Sequence, residues 1–296
     1  MKKYIVIFTV ISVLICTIFT SCSSSTEDYS VYEIDDGLSE NSSFVTHDYR
    51  FCSSTEDKQE IVLADRNVSI TVGNLTLEGE YQSTKTFELF GTSVKCYLGT
   101  DQYGRNVEFN IDDATGRLSR MSFRPHTETD HLYTQAECQE IAEDFLRAVV
   151  GEDTTYILYD TVTREIKEHG GVSYEFMFAK SFGDLLSDED IIVNVSSYGV
   201  IEYYLAYFLY GNDDPTELSY DEQAADEAIA EQIAIIYGEL ESTDYTFTSY
   251  TVKEKRISKF HDGNHYIRYD IRVRLDHKSE EYVEKHESLV LAVRIP

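Results

Sequence analysis

Twice along this chain an apolar helical stripe is followed by a run of alternating strands, and that recurring order restricts the architecture more than any other feature. Thr134-Gln135-Ala136-Glu137 has the residues of a capping box, in which hydroxyl and carboxylate satisfy the orphan N–H groups of a helix start. Behind it Cys138, Ile141, Ala142, Phe145, Leu146 and Val149 recur at helical spacing, and Gly151 supplies the stop. Strands are expected at 156–167, 172–180, 190–195 and 200–210, before the breaker Gly211-Asn212-Asp213-Asp214-Pro215. The order then begins again. Ala225, Ala228, Ile229, Ile233 and Ile236 form a second stripe, with Asp221 as the expected N-cap and Gly238 as the stop. Strands are expected at 245–257, 265–275 and 288–295. In the middle one, Ile267, Tyr269, Ile271, Val273 and Leu275 alternate with Arg268, Asp270, Arg272 and Arg274, so one face is buried and one is wet.

The first third has no comparable stripe. Val68, Ile70 and Val72 alternate with polar residues, Gly73-Asn74 signals a turn, and Leu75 and Leu77 resume the alternation. Further short strands are expected at 94–98 and 107–111, and the turn ending in Gly116 closes a hairpin onto 117–123. The expected fold class is therefore α+β: tandem helix-on-antiparallel-sheet units at 131–214 and 215–296, after a β-rich N-terminal part at 44–130.

The N-terminus carries an address. Lys2 and Lys3 precede an almost unbroken apolar run from Tyr4 to Phe19, the layout of a secretory signal. The run ends in Phe19-Thr20-Ser21-Cys22, which resembles a bacterial lipobox with Phe where that motif usually has Leu. Residues 1–21 are expected to be a lipoprotein signal, Cys22 the lipidated first residue of the mature chain, and 22–43 a polar tether rich in Ser, Asp and Glu. An uncleaved membrane helix is the competing reading, and the run is slightly short for it. The expected location is the outer face of the cell membrane.

Composition narrows the partners. Lys and Arg number 25 against 54 Asp and Glu, a net charge of −29, which becomes −31 once Lys2 and Lys3 leave with the signal. Such a surface repels nucleic acid and suits a chain kept soluble at a charged cell boundary. Five cysteines and no CxxC exclude a dense disulfide framework. Cys138 belongs to the first helical stripe, while Cys52 and Cys96 fall in strand-like segments where pairing stays open.

No HExxH, GxSxG or P-loop occurs, so the common hydrolase and nucleotide signatures are missing, and no cofactor is implied. His126 and His131 flank Glu128 and Asp130 in the densest potential metal cluster. The loop from His261 to His265 is ordinary turn chemistry. The acidic run Asp188-Glu189-Asp190 and the group Asp213, Asp214 and Glu217 lack calcium-loop spacing and are expected to be solvated surface. The segment from Tyr203 to Tyr210 is apolar on both faces, which favours a central strand over an exposed peptide- or glycan-binding face.

The segments TQAECQEIAEDFLRAVVG (134–151), VSYEFMFAKSFG (172–183) and DIIVNVSSYGVIEYY (190–204) resemble the PepSY and YcdB-type repeats of exported bacterial proteins. VEFNIDDATGRLSRMSF (107–123) is similar to their closing hairpin, and the likeness runs from Val107 to Pro296. It is one of element order and turns, without a catalytic signature. The resemblance implies a PepSY- or cystatin-like layout and, for PepSY domains, an association with the inhibition of secreted peptidases. The expected function is a non-enzymatic, lipid-anchored extracytoplasmic protein that binds a protein, peptide or glycan. The alternatives are a PepSY-like modulator of secreted peptidases and a glycan or cell-wall hydrolase with an unrecognised site.

Overall fold

The computed structural model describes residues 31–33, 54–57, 66–87, 90–123, 131–151, 155–166, 171–210, 217–238, 244–279 and 284–295. Cys22, Cys52, His126, Asp213 and Asp214 lie outside the described residues, as does the whole leader.

The first strands are β1 (Val31–Glu33) and β2 (Ser54–Asp57). A meander follows: β3 (Asn67–Val72), β4 (Leu75–Phe87), β5 (Thr92–Asp101), β6 (Asn106–Asp112) and β7 (Leu118–Phe123). Helix α1 (Gln135–Val150) comes next, with the Thr134–Glu137 capping box formed in both directions and Gly151 at its end with φ of 79°. A second meander is β8 (Tyr156–Ile166), β9 (Gly171–Phe182), β10 (Leu185–Ser196) and β11 (Ile201–Ala206). Helix α2 (Glu222–Gly238) starts where the Asp221 carboxylate accepts the Ala224 N–H at 3.1 Å. The last meander is β12 (Tyr245–Lys259), β13 (His265–His277) and β14 (Lys285–Arg294).

These strands do not form separate layer pairs. Among the described residues fourteen strands join one mixed sheet, in the order β1-β14-β13-β12-β10-β11-β7-β6-β5-β4-β2, with β3 on β4 and with β8 and β9 branching from β10. The expected α+β class of tandem helix-on-sheet units is thereby corrected: the described residues are mostly strand, and the two helices among them lie against a continuous sheet. Two junctions weld it. Tyr203, Tyr204 and Leu205 of β11 pair antiparallel with Ser122, Met121 and Arg120 of β7. Leu186 and Ser187 of β10 pair parallel with Arg256 and Ile257 of β12. The physical reason lies in the edges. A meander ends in a row of unpaired N–H and C=O groups, and the next meander satisfies them. Side-chain periodicity reports which face of a strand is buried. It carries no signal for which edge is paired.

The described residues form two hydrophobic cores along this sheet. The first gathers Cys138, Ala142, Phe145 and Val149 of α1 with Leu77, Phe109, Phe176, Ile191 and Tyr204. The second gathers Ala225, Ile229 and Ile233 of α2 with Ile257, Tyr269, Val273 and Leu291. Cys138 is a buried core thiol, as its place in the stripe implied, and burial pushes its pKa up to about 11. Cys96 is half-buried in β5.

Between β4 and β5 the backbones approach closely at Gly79 and Gly99, which face each other in register. A Cβ on Gly99 would stand 1.8 Å from the Glu78 carbonyl oxygen, and one on Gly79 would stand 2.6 Å from the Phe109 ring. Gly99→Ala is expected to cost about 1–3 kcal/mol, because the strands must part to admit the methyl group. A urea melt reads this directly, and an unchanged midpoint would refute it.

Candidate functional site

A groove of about 750 Å³ opens beside α1. One wall is the helix, through Ile141, Asp144, Phe145 and Ala148. The other walls are turns: β3–β4 through Val72 to Leu75, β5–β6 through Gln102, Tyr103 and Arg105, and β10–β11 through Gly199 to Ile201. Side chains hold those turns still. The Gln102 amide oxygen accepts the Thr76 N–H at 2.8 Å, and its NH₂ donates to the Asn74 carbonyl at 2.8 Å. The buried Asp101 carboxylate accepts the Tyr103 N–H at 3.0 Å, the Arg105 N–H at 2.8 Å and the Arg105 Nε–H at 2.6 Å. Burial works to raise the Asp101 pKa, but the Arg105 backbone and guanidinium contacts outweigh it and hold the carboxyl below its usual value. The anchored guanidinium lies 4.6 Å from the Phe123 ring centre and 5.5 Å from that of Tyr103. Tyr103 is 75% exposed at the rim. The result is a preformed slot with mostly apolar walls and an aromatic lip.

The second notable cluster is buried. Asp188 and Glu189 are each 1% exposed and Asp190 is 8% exposed, so the acidic run is interior rather than the solvated surface expected of it. It sits where the β9–β10 register shifts between Leu186 and Asp190, freeing β10 to meet β12. Successive side chains of a strand point to opposite faces, and the run serves both. Asp188 accepts the Ser258 hydroxyl and lies 3.5 Å from Arg268 Nη2. Asp190 Oδ1 accepts from Arg256 Nη1 at 2.6 Å. The same Nη1 donates to the Ser187 carbonyl at 3.0 Å, and Nε donates to Glu254 at 2.7 Å. Arg268 reaches Asp270 at 3.1 Å, and the Tyr159 ring lies 5.0 Å from the Arg256 guanidinium. On the other face Glu189 Oε2 accepts the backbone N–H groups of Leu209 and Tyr210 at 2.7 and 2.8 Å, and Oε1 accepts the Tyr156 hydroxyl.

Desolvation by burial raises the pKa of Asp188 well above the ordinary carboxylate value, against the Ser258 hydrogen bond and the Arg256 charge. Burial raises Glu189 in the same sense. The folded state therefore binds these protons more tightly than the unfolded chain. Their stabilising share is complete below the unfolded carboxylate pKa of about 4 and is lost as pH rises through the folded values. Asp188→Asn, which mimics the protonated acid, is expected to match or exceed the parent in stability at about pH 8 and to lose that advantage at about pH 4. Urea midpoints at the two pH values test this; an Asn variant weaker at the higher pH only would contradict it.

Of the residues singled out in the sequence as metal candidates, His131 is exposed, with its ring edge-on to Tyr133 at 4.6 Å. Among the described residues no group of three or more His, Cys, Asp or Glu side chains is placed to hold a metal ion. Asp262 spends its carboxylate on the Asn264 N–H, the Asn264 amide and the Tyr266 hydroxyl, with a pKa of about 2. The His265 ring stacks on Tyr210 at 5.7 Å. The 203–210 segment is largely interior: Tyr204, Phe208 and Tyr210 are buried, Tyr203 and Tyr207 are half-buried, and β11 lies between β10 and β7. No described helix is long and apolar enough to cross a membrane. The groove was not foreseen, because its walls come from five separate stretches of chain. The one local signal for it was the run Gln102-Tyr103-Gly104-Arg105, which has an aromatic at the tip of a tight turn.

The comparison that bears on family covers the groove's turns and the buried run alike. The model of the YcdB, YcdC repeated domain matches residues 45–207, more than half of the chain. The chain belongs to that family. The YcdB-type likeness noted from Val107 onward thus extends upstream to residue 45, and residues 208–296 lie beyond the match. No curated protein matches. Among solved structures, the Bacillus megaterium YpeB C-terminal domain is similar over 73% of this chain and 90% of its own, at 10% identity and a TM-score of 0.35. MucB is similar over 79% of this chain and 89% of its own, at 11% identity and a TM-score of 0.11. Neither superposition is close enough to define the fold of this YcdB, YcdC-type chain.

Proposed function

We propose that this YcdB, YcdC-family chain is a non-catalytic binding module, held at the outer face of the cell membrane by a lipid on Cys22, and that the groove beside α1 receives an extended apolar segment of a protein partner. The observation that carries this reading is the preformed slot itself. Its walls are mostly apolar, its lip is the exposed Tyr103 ring, and its turns are fixed by Gln102 and Asp101, so little ordering cost falls on binding. Its one cation, Arg105, is already engaged by Asp101, which suits an apolar guest better than a charged one. The acidic mature surface and the Ser-rich stretch after Cys22 support a tethered extracytoplasmic location and argue against nucleic acid as a partner.

Two measurements test the proposal. Mass spectrometry of the membrane fraction is expected to find a mature chain beginning at a lipid-modified Cys22; a chain still beginning at Met1 would remove the anchor. For the groove, labelled peptides of about ten residues that alternate Leu and Phe with Ser are titrated into the full chain in detergent micelles. Binding is expected, with the peptide recovered intact, and Ser-only peptides are expected to bind at least about tenfold more weakly. Ala148→Trp, which fills the slot from an exposed helix position, is expected to abolish the difference. Cleavage of the peptide, or equal binding of both peptides, would overturn the reading.

A further inference from the structure

The sheet carries a second cavity, on the face away from α1. Alternation along the strands separates the two faces. Val107 and Phe109 of β6 and Tyr204 of β11 belong to the α1 core, and the Tyr204 ring meets Phe145 of α1 edge-on at 5.2 Å. The intervening residues Asn110, Tyr203 and Leu205 therefore face the other way. There, with Lys85 and Phe87 of β4, Ser119 and Arg120 of β7, and Tyr207, they line a cavity of about 240 Å³.

Three observations give this cavity a chemistry. First, Arg120 pairs in register with Asn110 on one side and Leu205 on the other, so neither cross-strand neighbour neutralises it. Neither Arg120 nor Lys85 takes part in an ion pair among the described residues. In a chain of net charge −29, two cations on the lining of one cavity stand out: Arg120 has no acidic residue directly across from it, and Lys85 stands opposite Glu56 of β2 in register. Second, Ser119 is 3% exposed and its hydroxyl has no hydrogen-bond partner. It is the extra residue where the β6–β7 register shifts between Asn110 and Ile111, which pair with Arg120 and Leu118. A buried hydroxyl left without a partner is costly, and a bound oxygen relieves that cost. Third, the rim is aromatic. The Phe87 and Tyr207 rings meet edge-on at 5.5 Å, and Tyr203 lies on the same face. Such rings pack against planar or aliphatic surface.

We propose that this cavity binds a small organic anion: a carboxylate or phosphate on a compact apolar body, with the charged end held by Arg120, Lys85, Ser119 and the Asn110 amide and the body against Phe87, Tyr203 and Tyr207. A guanidinium matches either oxyanion. The volume admits a single-ring molecule rather than a polymer. This site is separate from the groove beside α1 and shares no lining residue with it.

The probes are benzoate, phenyl phosphate, benzamide and inorganic phosphate, titrated calorimetrically into the full chain in detergent micelles. Benzoate or phenyl phosphate is expected to bind at least about tenfold more tightly than neutral benzamide, because only the anion recruits Arg120. Whichever binds more tightly identifies the anionic group. Arg120→Gln and Lys85→Met are each expected to weaken that binding about tenfold while leaving the thermal midpoint of the free protein unchanged. Ala148→Trp, which blocks the groove, is expected to leave it intact. Equal binding of benzoate, phenyl phosphate and benzamide overturns the anion site. Inorganic phosphate bound as tightly as phenyl phosphate overturns the role of the aromatic rim. Undiminished binding by Arg120→Gln places the ligand elsewhere and overturns the assignment.

Discussion

Arg256→Ala is expected to destabilise the protein by about 3–5 kcal/mol, the range found when one partner of a buried ion pair is removed. Arg256 is 1% exposed and is the hub of the β10–β12 junction. Its guanidinium serves Asp190, the Ser187 carbonyl and Glu254 at once. Truncation leaves the buried Asp190 carboxylate without its countercharge, and Asp188 loses a nearby positive charge that favours its ionised form. That loss outweighs the packing lost with the side chain. The same argument predicts a partial rescue. Replacing both partners by apolar residues, as in Arg256→Met with Asp190→Leu, removes the orphaned charge and is expected to recover part of the loss. Urea unfolding of the single and double variants measures both effects. A single variant within about 1 kcal/mol of the parent would show that the network contributes little to the folded state.

Glu189→Ala is expected to cost about 2–6 kcal/mol, because each buried N–H left unpaired costs about 1–3 kcal/mol and this carboxylate holds two. Those two groups, at Leu209 and Tyr210, lie where the chain leaves one core and enters the other: Phe208 packs in the first, and Leu209 and Tyr210 pack in the second. The Tyr210 hydroxyl then donates to the Ile257 carbonyl at 3.0 Å, continuing the crossing into β12. Loss of Glu189 is therefore local in one readout and global in another. Hydrogen exchange at the amides of Leu209 and Tyr210 is expected to accelerate even under conditions where the rest of the sheet stays protected. Glu189→Gln retains an acceptor oxygen and is expected to lose less. Exchange at these two amides unchanged in the Ala variant would mean that other groups hold the crossing.

These two expectations draw on the acidic run, where sequence and structure part company. Three consecutive acids resemble solvated surface because an isolated carboxylate is expensive to bury. Their partners lie far along the chain, in Tyr156, Leu209, Tyr210, Arg256, Ser258 and Arg268, and reach them only through strand register. One hint was present. Arg268 and Asp270 alternate with apolar residues on β13, and the wet face they define turns out to be covered at that end and exposed at Arg272 and Arg274. Periodicity marks the face but not what lies over it. The groove and the anion cavity were illegible for the same reason, since each is lined by several separate segments.

What the sequence determined by itself was local. The α1 capping box, its apolar stripe and its glycine stop, the Asp221 start of α2, and the alternation along β3, β6 and β13 depend on residues within a few positions of one another, so short-range sterics and hydrogen bonding decide them. The burial of Tyr204 to Ala206 and Phe208 to Tyr210 was also legible, because apolar residues recur on both faces of that segment. The tertiary structure alone decided how the meanders join. Every strand edge offers the same row of donors and acceptors, whatever its side chains, so nothing in the residue pattern distinguishes three sheets from one. The β7–β11 and β10–β12 pairings settle that choice, and with it the burial of Asp188, Glu189 and Asp190 and the walls of both cavities.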